Sequence, residues 1–597
     1  RVRTRDLLEI APATSHVLAN AYSLEMWGGA TFDVALRFLR ECPWERLEQL
    51  RERVPNIPFQ MLLRGANAVG YTNYPDNVVF KFVQHARRSG IDVFRVFDCL
   101  NYVENLKLGM DAVGAAGGVI ETCVCYTGDV SDAGRTKYSL QYYVDLAGQL
   151  VDLGTHVLAI KDMAGLLKPE SAKLLVGALR KAFPDMPIHV HTHDTAATGV
   201  ASMLACGEAG ADVVDVALAP MAGMTSQPAL GAVVAATEGT ARDTGVSLRQ
   251  VQGLATYWEQ ARGLYAPFES GLKSGSSDVY FHEMPGGQYT NLQFQARQLG
   301  LAERWPAIKE AYAAANRLCG DIIKVTPSSK VVGDLAQFMV QNDLSEDDVL
   351  EQAETLSFPS SVVDFFRGYL GVPPGGFPEP LRTRIVRDLP TVEGRPGATL
   401  PPLDFEALQN QLEETYGRIG PHDAVSAALY PKVFAEFMEF RENFGDMSVL
   451  PTRFFFAPPS IGEEFSLDIE RGKTLIVELS AVGELDDNGQ REVFFELNGR
   501  LRSIRIRDRS AAVESVVRER ADASDPGSVG APMPGVVIEV KVEAGDEVPA
   551  GAPLVVMSAM KMETVVTAPI GGKVARVAVA QDDSLAAGDL LVALRPG

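Results

Sequence analysis

Ala559-Met560-Lys561-Met562 lies between two similar half-repeats near the C-terminus, and these repeats decide how the last part of the chain folds. Residues 531–537 (Ala-Pro-Met-Pro-Gly-Val-Val) are matched by 568–574 (Ala-Pro-Ile-Gly-Gly-Lys-Val), and residues 551–555 by 588–592. Apolar and polar residues alternate within each half, which is the period of half-buried strands. The sequence therefore predicts a flattened β-barrel with two-fold symmetry, in which Lys561 stands at the tip of an exposed hairpin.

This combination of motif and repeat resembles the biotinyl carrier domain, whose Ala-Met-Lys-Met lysine carries biotin in amide linkage. The resemblance implies that Lys561 is the attachment site of covalent biotin. Lipoyl domains share the fold, but acidic residues more usually flank their lysine. Without the repeat, a lysine between two methionines would be read as an ordinary surface residue.

Length, charge and cysteine usage narrow the class of protein. The 597 residues are enough for about three or four domains of roughly 150 residues each. A formal charge of −22 argues against nucleic acid or an anionic membrane surface as partner, and no apolar run reaches the ~18 residues of a spanning helix. Cys99, Cys123 and Cys125 lie in or beside apolar runs, which predicts buried, reduced thiols. A reducing compartment follows, the cytoplasm or alternatively the mitochondrial matrix.

Residues 1–240 alternate between strand-like and helical patterns, which predicts a parallel sheet. The seven strand-like runs are Tyr22–Trp27, Phe59–Gly65, Val93–Asp98, Val119–Thr127, Val157–Met163, Ile188–Asp194 and Val213–Ala217. Several of these runs end in polar or glycine-rich residues, and function in (β/α)₈ TIM barrels gathers at the C-terminal ends of the strands. Because the chain opens on a helical pattern from Thr4 to about Asn20, we expect the first of eight strands upstream of Arg1.

Two neighbouring strands carry the candidate metal ligands. His191 and His193 are two positions apart, so both rings point to the same face and can reach one ion. His189 has the same parity but lies a layer deeper. Lys161 lies at the corresponding end of the preceding strand, where an ammonium is costly to desolvate unless it is paired or altered. Pairing with Asp162 is the simpler alternative, although adjacent strand residues face opposite ways.

Three segments, 24–33 (Leu-Glu-Met-Trp-Gly-Gly-Ala-Thr-Phe-Asp), 62–71 (Leu-Leu-Arg-Gly-Ala-Asn-Ala-Val-Gly-Tyr) and 191–194 (His-Thr-His-Asp), look like the carboxyltransferase domain of the pyruvate carboxylase family. The resemblance runs through the whole chain. It implies that Lys161 is N-carboxylated and, with the two histidines, holds a divalent metal, Zn²⁺ or Mn²⁺. In the family a fourth ligand, an aspartate, and a glutamine that contacts the substrate lie on the first strand.

The same resemblance assigns residues around the substrate. Arg64 is a planar two-pronged donor that suits the carboxylate of pyruvate, whereas a salt bridge at the barrel rim is its simpler interpretation. Asp33 and Tyr71 correspond to family residues at the mouth where the biotin ring enters. On their own, these two would be ordinary loop residues.

Residues 241–450 are dominated by helical periodicity and are predicted to form a funnel-like extension over the barrel mouth. The loop 324–330 (Lys-Val-Thr-Pro-Ser-Ser-Lys) is typical of a helix start with Thr or Ser as N-cap. In pyruvate carboxylases the matching threonine moves a proton between the substrate methyl group and biotin. The resemblance thus implies that Thr326 is the proton carrier, with Ser329 and Lys330 lining the biotin pocket.

Residues 451–528 are predicted to form a small α+β domain and a flexible tether, followed by the all-β carrier at 529–597. Residues 461–482 and 493–508 are strand-rich and are separated by a turn at 486–489. Arg500 and Arg502 share one strand parity and Arg505 and Arg507 the other, so they occupy both faces unless a bulge near Ser503 realigns them. The region looks like the family's tetramerisation or allosteric domain, which implies a homotetramer.

The chain as a whole is interpreted as the C-terminal part of a pyruvate carboxylase without its ATP-dependent domain. It would transfer a carboxyl group from carboxybiotin on Lys561 to pyruvate, giving oxaloacetate, and biotin protein ligase would be its partner. The α subunit of a sodium-pumping oxaloacetate decarboxylase is the nearest alternative, although residues 66–72 (Ala-Asn-Ala-Val-Gly-Tyr-Thr) fit the carboxylase better. A catalytically inert biotin-acceptor and assembly module is the second alternative.

Overall fold

A computed structural model describes residues 2–298, 300–470, 472–486, 488–508, 518–522, 525–559 and 562–596. Contacts divide the chain into two compact units. The first comprises residues 8–38 and 42–438, and it contains a parallel sheet surrounded by helices. The second comprises residues 2–7, 39–41 and the chain from 439 onward, and it contains three antiparallel sheets.

Seven parallel strands form the sheet of the first unit, and they pair in chain order. The strands are β1 Leu24–Trp27, β2 Phe59–Leu63, β3 Val93–Val96, β4 Val119–Tyr126, β5 Val157–Asp162, β6 Ile188–Thr192 and β7 Val213–Val214. Nearly all their side chains from β2 to β6 are buried, as expected for strands covered on both faces. The predicted barrel-type architecture with seven strands is thus confirmed, although most strands end one to three residues earlier than the patterns indicated.

Helices precede, connect and follow these strands. They are α1 Thr4–Val17, α2 Gly29–Val34, α3 Pro43–Arg53, α4 Asp76–Arg88, α5 Val103–Ala115, α6 Leu140–Asp152, α7 Pro169–Ala182, α8 Gly199–Ala209 and α9 Leu230–Thr237. Local chemistry sets their ends: the Ser139 hydroxyl accepts from Tyr142 N–H at the start of α6, and Pro169 occupies the first turn of α7. Gly210 ends α8 in the left-handed conformation.

The predicted helical extension follows. Its helices are α10 Leu248–Tyr265, α11 Val279–His282, α12 Gly286–Gln298, α13 Trp305–Leu318, α14 Ser328–Gln341, α15 Glu346–Gln352, α16 Ser360–Arg367, α17 Leu381–Val386, α18 Phe405–Tyr416, α19 Asp423–Leu429 and α20 Pro431–Phe444, and the short helix α21 Thr452–Phe456 lies beyond it. The segment 276–286 lies over the C-terminal ends of two strands, because Ser276 N–H donates to Thr195 O (2.7 Å) and Gly286 N–H to Met163 O (3.1 Å). It thereby brings the extension against the candidate site.

An antiparallel sheet in the order β11-β10-β9-β8 follows α21. Its strands are β8 Glu464–Glu470, β9 Lys473–Leu485, β10 Gln490–Leu497 and β11 Arg500–Arg507, so the two predicted strand-rich stretches are four strands. β10 and β11 pair without a register shift. The predicted alternative of a bulge near Ser503 is therefore wrong, and the arginines of β11 occupy both faces and are exposed. Asp487, in the predicted turn, is outside the described residues.

The C-terminal β domain has the predicted two-fold symmetry. Its strands are β12 Ser528–Gly530, β13 Gly535–Val540, β14 Glu547–Val548, β15 Pro553–Ala559, β16 Met562–Thr567, β17 Gly572–Val577, β18 Ser584–Leu585 and β19 Leu590–Pro596. They form two four-stranded sheets, β12-β19-β17-β14 and β16-β15-β13-β18. Each strand of one sheet has its counterpart at the same place in the other. Core residues recur 37 positions apart, as in Val537 and Val574 or Leu554 and Leu591.

Two further findings concern the whole described part of the chain. None of its helices combines the length and the hydropathy that a membrane-spanning helix requires. All six cysteines are free thiols, and every one except Cys42 is fully buried. The prediction of unpaired cysteines in or beside the strands is thus confirmed.

Candidate active site

His191 and His193 lie at the C-terminal end of β6 and present two nitrogen atoms to each other. Their Nε2 atoms are 3.4 Å apart. His193 Nδ1 is 2.7 Å from Thr225 O, a pure acceptor, and His191 Nδ1 is 2.7 Å from Asp215 Oδ2. We therefore assign a proton to each Nδ1. Burial and the positive charge of Lys161 lower the pKa of His193 to about 4 and that of His191 well below its usual value.

Both imidazoles are consequently neutral, and each Nε2 carries a lone pair. Two lone pairs at 3.4 Å, with no proton between them, repel each other unless a cation lies close to both. Two nitrogens bound at about 2.1 Å to one tetrahedral ion are themselves about 3.4 Å apart. The pair therefore fits a divalent metal.

Lys161, on β5, is directly opposite His191 in the sheet. Its side chain is buried, with Nζ 5.0 Å from the centroid of the Phe97 ring, and it makes no hydrogen bond or ion pair with any residue in the described ranges. The alternative pairing with Asp162 is wrong, because that carboxylate faces away and accepts from the backbone N–H groups of residues 164–167.

No group of three or more histidine, cysteine, aspartate or glutamate side chains in the described part of the chain is arranged to hold a metal ion. Lysine is not one of these residue types, so Lys161 beside the two imidazoles is a separate candidate ligand. Lys161 is the side chain that the sheet places beside them, and its amine becomes an oxygen donor when it is carboxylated.

A buried network of charged side chains, which the sequence did not predict, holds the ring of His191. Arg95 Nε donates to Glu121 Oε1 (2.5 Å), and Arg95 Nη1 donates to Asp215 Oδ2 (2.5 Å). His189 lies between the same two carboxylates, at 3.0 Å from Glu121 Oε2 and 2.7 Å from Asp215 Oδ1. Burial alone would lower the pKa of His189, but the two carboxylates raise it to about 9. Asp215 is thereby held in place to fix the ring of His191.

Arg64 follows β2, and its guanidinium is oriented by its own loop. Nη1 donates to Val69 O (2.7 Å) and Gly70 O (2.9 Å), and Cζ is 4.9 Å from the centroid of the Tyr71 ring. In the described ranges, Nε and Nη2 make no hydrogen bond. The alternative of a salt bridge at the barrel rim is therefore wrong. The guanidinium edge formed by Nε and Nη2 faces no acceptor among the residues that the structure describes.

Asp33 and Tyr71 belong to the same cluster. Tyr71 OH donates to Asp33 Oδ2 at 3.4 Å, while Arg37 Nε donates to Asp33 Oδ1 at 2.9 Å. The structure thus brings Arg64, Tyr71 and Asp33 together, although 38 positions separate the last two. From the sequence, these three residues were assigned to the substrate and biotin site only through the family resemblance.

Thr326 is half-buried and lies two residues before α14. The expected Thr or Ser cap is wrong, because Pro327 occupies the N-cap position and no side chain caps the helix. The Thr326 hydroxyl makes no hydrogen bond within the described ranges. Ser329 is buried, and Lys330 Nζ donates to Asp334 Oδ2 (2.5 Å).

Lys561 and its neighbour Met560 lie outside the described residues, and so does the predicted hairpin tip. The flanking strands β15 and β16 are antiparallel, and they pair Ala559 with Met562. Along the chain, the candidate carrier lysine therefore falls between the end of β15 and the start of β16.

This chain thus combines a barrel-type parallel sheet, which carries a histidine pair that fits a divalent metal, with a C-terminal β domain of two-fold symmetry whose sequence contains a Met-Lys-Met motif. Three family models match the chain. They are described as "Conserved carboxylase domain" over residues 279–478, "Biotin-requiring enzyme" over 527–594, and HMGL-like over 88–257.

Known relatives agree with these models. The mitochondrial pyruvate carboxylase of Homo sapiens is 59% identical over 595 residues, which cover 99% of this chain and 50% of the relative. The carboxyl transferase domain from Rhizobium etli pyruvate carboxylase is 50% identical with a TM-score of 0.84, over 85% of this chain and 86% of that one. The same domain with pyruvate and biocytin has a TM-score of 0.83 at 50% identity, covering 85% and 86% of the two chains. This chain belongs to the pyruvate carboxylase family, and it spans about half the length of the curated relatives it matches.

Proposed function

We propose that this chain transfers a carboxyl group from biotin on Lys561 to pyruvate, giving oxaloacetate. The observation that carries the proposal is the neutral histidine pair beside Lys161, at the C-terminal edge of the sheet, in a chain that also has a biotinyl domain. The solved relative that contains pyruvate and biocytin supports both substrates. All the relatives reported above are pyruvate carboxylases, which favours the carboxylase over a decarboxylase subunit or an inert module.

The proposed metal ligands are His191, His193 and N-carboxylated Lys161, and the ion is Zn²⁺ or Mn²⁺. Carboxylation of Lys161 requires the ammonium to lose one proton first; the neutral amine then bonds to CO₂ and releases a second proton, which replaces a buried cation with an anionic oxygen donor. When bound, the metal polarises the keto group of the substrate and thereby acidifies its methyl protons.

The other site residues bind substrate and move a proton. The free edge of Arg64 binds the carboxylate of pyruvate. The Thr326 hydroxyl accepts a proton from the methyl group and donates one to the biotin nitrogen, which a hydroxyl can do without holding a net charge between steps. Asp33, Tyr71, Ser329 and Lys330 form the biotin pocket.

The domain division follows from the same proposal. Residues 1–240 are the carboxyltransferase barrel, 241–450 its helical funnel, 451–528 the tetramerisation or allosteric tether domain, and 529–597 the biotinyl carrier. The family match to residues 527–594 supports the last boundary. We also propose that biotin protein ligase modifies Lys561, that the protein is a homotetramer, and that it works in the cytoplasm or the mitochondrial matrix. The name of the human relative supports the matrix.

Decarboxylation of oxaloacetate by the biotinylated protein tests the proposed function. The wild type is expected to bind a divalent metal and to decarboxylate oxaloacetate at a rate that depends on biotin. The Lys561→Arg variant keeps the charge but should give no band on a streptavidin blot, and it should show only the biotin-independent background rate. A biotinylated Lys561→Arg protein, or a wild type with no biotin-dependent rate, would contradict the assignment.

Gly29 leaves the space in which Arg64 lies, because a Cβ atom at this position would overlap the guanidinium group. The Gly29→Ala variant is therefore expected to displace Arg64 and raise KM for oxaloacetate by about 10- to 100-fold, the value of a charge-assisted hydrogen-bonded pair. Steady-state kinetics would measure this change. Gly28→Ala is the matched control, since its Cβ would meet Leu62 Cδ1 at 3.4 Å. Equal KM values for the two variants would contradict the role given to Arg64.

A further inference from the structure

Lys324 is an almost completely buried ammonium two residues before Thr326, with only 2% of the residue exposed. Its Nζ donates to Glu283 Oε2 at 2.8 Å, to Thr127 Oγ1 at 3.1 Å and to Ile322 O at 3.2 Å. The three N–H groups of the ammonium are thus all used. An ammonium buried without such partners would be strongly destabilising, so this geometry holds the Lys324 side chain in one place.

The side-chain partners of Lys324 belong to the mouth of the barrel. Thr127 directly follows β4, and Glu283 lies in the segment 276–286 that is bonded over the ends of β5 and β6. The second oxygen of Glu283 accepts from Arg135 at 2.8 Å. Burial alone would raise the pKa of Glu283, but Lys324 and Arg135 lower it to about 2, so the carboxylate is ionised. Lys324 therefore bonds the loop to the edge of the sheet that carries the candidate metal ligands.

The far end of the same loop is fixed by Ser328. Its hydroxyl accepts from Val325 N–H at 3.1 Å and lies 2.7 Å from Ile323 O and 3.2 Å from Cys99 O, which follows β3. Thr326 is thus held between two anchors while its own hydroxyl stays unbonded within the described ranges. The backbone of this loop has little freedom to move the hydroxyl.

We propose that Lys324 is a positioning residue, which acts through Glu283 and Thr127 to hold the Thr326 hydroxyl in register with the substrate. The inference rests on the proposed role of Thr326 in proton transfer. All three N–H groups of Lys324 are used by protein acceptors, so its proposed contribution is to fix where the proton carrier stands. A misplacement of about 1 Å can cost about 100-fold in rate.

The Lys324→Met variant of the biotinylated protein tests this role. We expect kcat for biotin-dependent decarboxylation of oxaloacetate to fall about 100-fold. KM should change less than about twofold, because Arg64 is outside the cluster and still binds the carboxylate. The metal content should also be unchanged. Lys309→Met is the matched control: its Nζ bonds Asp278 at 2.5 Å on the same segment, but that pair does not reach the Thr326 loop, and kcat should stay near the wild-type value.

A double variant separates positioning from stability. Lys324→Met alone leaves a buried carboxylate with one partner fewer and should lower the midpoint of thermal unfolding. Lys324→Met/Glu283→Met removes both buried charges and should recover most of that loss, because Arg135, which also loses its partner, has a side chain that is 39% exposed and can be solvated. Low kcat in this stable double variant would support the inference. Recovery of kcat together with stability, an unchanged kcat in Lys324→Met, or a change in KM alone would overturn it. An inactive wild type would instead overturn the proposed function.

Discussion

Replacing Thr326 by alanine is expected to lower biotin-dependent decarboxylation of oxaloacetate by about 10²- to 10⁴-fold, the usual contribution of a positioned proton-transfer group. The hydroxyl has no hydrogen-bond partner within the described ranges, so its removal leaves no buried group unsatisfied and should not change the midpoint of thermal unfolding. Biotinylation at Lys561 and the metal content should also be unchanged. The rate above the Lys561→Arg background measures the effect.

Thr326→Ser is the control for that substitution, because serine keeps the hydroxyl and loses only a methyl group. It should retain most of the rate. Near-normal transfer by the alanine variant would show that the proton moves by another route. An equal loss in both variants would indicate that the methyl group packs the loop and that the hydroxyl is not the proton carrier.

The second large effect is expected from His193→Ala, which removes one of the two bare imidazole nitrogens. Loss of a direct ligand should weaken metal binding more than the 10- to 100-fold that follows from losing a group behind a ligand. Metal content after dialysis, measured by mass spectrometry, should fall to background, and biotin-dependent turnover should fall with it. Burial keeps His193 neutral, so its removal costs no charge pair.

His16→Ala is the matched control, since His16 is an exposed histidine in the last turn of α1. It should keep the full metal content and rate. If His193→Ala retains the metal with wild-type affinity, the histidine pair is not the metal site, and the proposed function loses the observation that carries it.

Strand parity predicts some residues of the candidate site but not others. His191, His193 and Lys161 could be found because a period of two places alternate residues on one face, and because parallel strands bring their C-terminal ends to one edge. The network around Asp215 was missed for a different reason. Asp215 follows the short strand β7, 24 positions from His191, and no local pattern links the two. Charged residues at matching positions in apolar strands, Arg95 and Glu121, were the available signal.

The loop around Thr326 shows a second limit of prediction from sequence. Thr and Ser before an apolar run are typical N-caps, yet here Pro327 takes that position and the Ser328 hydroxyl bonds the loop to Cys99, in the segment after β3. The partner of Lys324 is 41 positions away in sequence, so the local sequence could not reveal it. For the arginines of β11, strand parity alone predicted the two faces correctly, and the alternative of a bulge near Ser503 was wrong.

The 37-residue duplication of the C-terminal domain has a consequence for how a modifying enzyme can recognise it. Counting back by the same offset from Lys561 in the sequence leads to Ser524, so only one of the two corresponding positions is an amine. A ligase that recognised only the shape of the two sheets could bind the domain in either of two orientations. Only one of these orientations would present an amine to the ligase. If a ligase modifies Lys561 as proposed, side chains that differ between the halves, such as Met533 and its counterpart Ile570, are the ones that can direct productive docking.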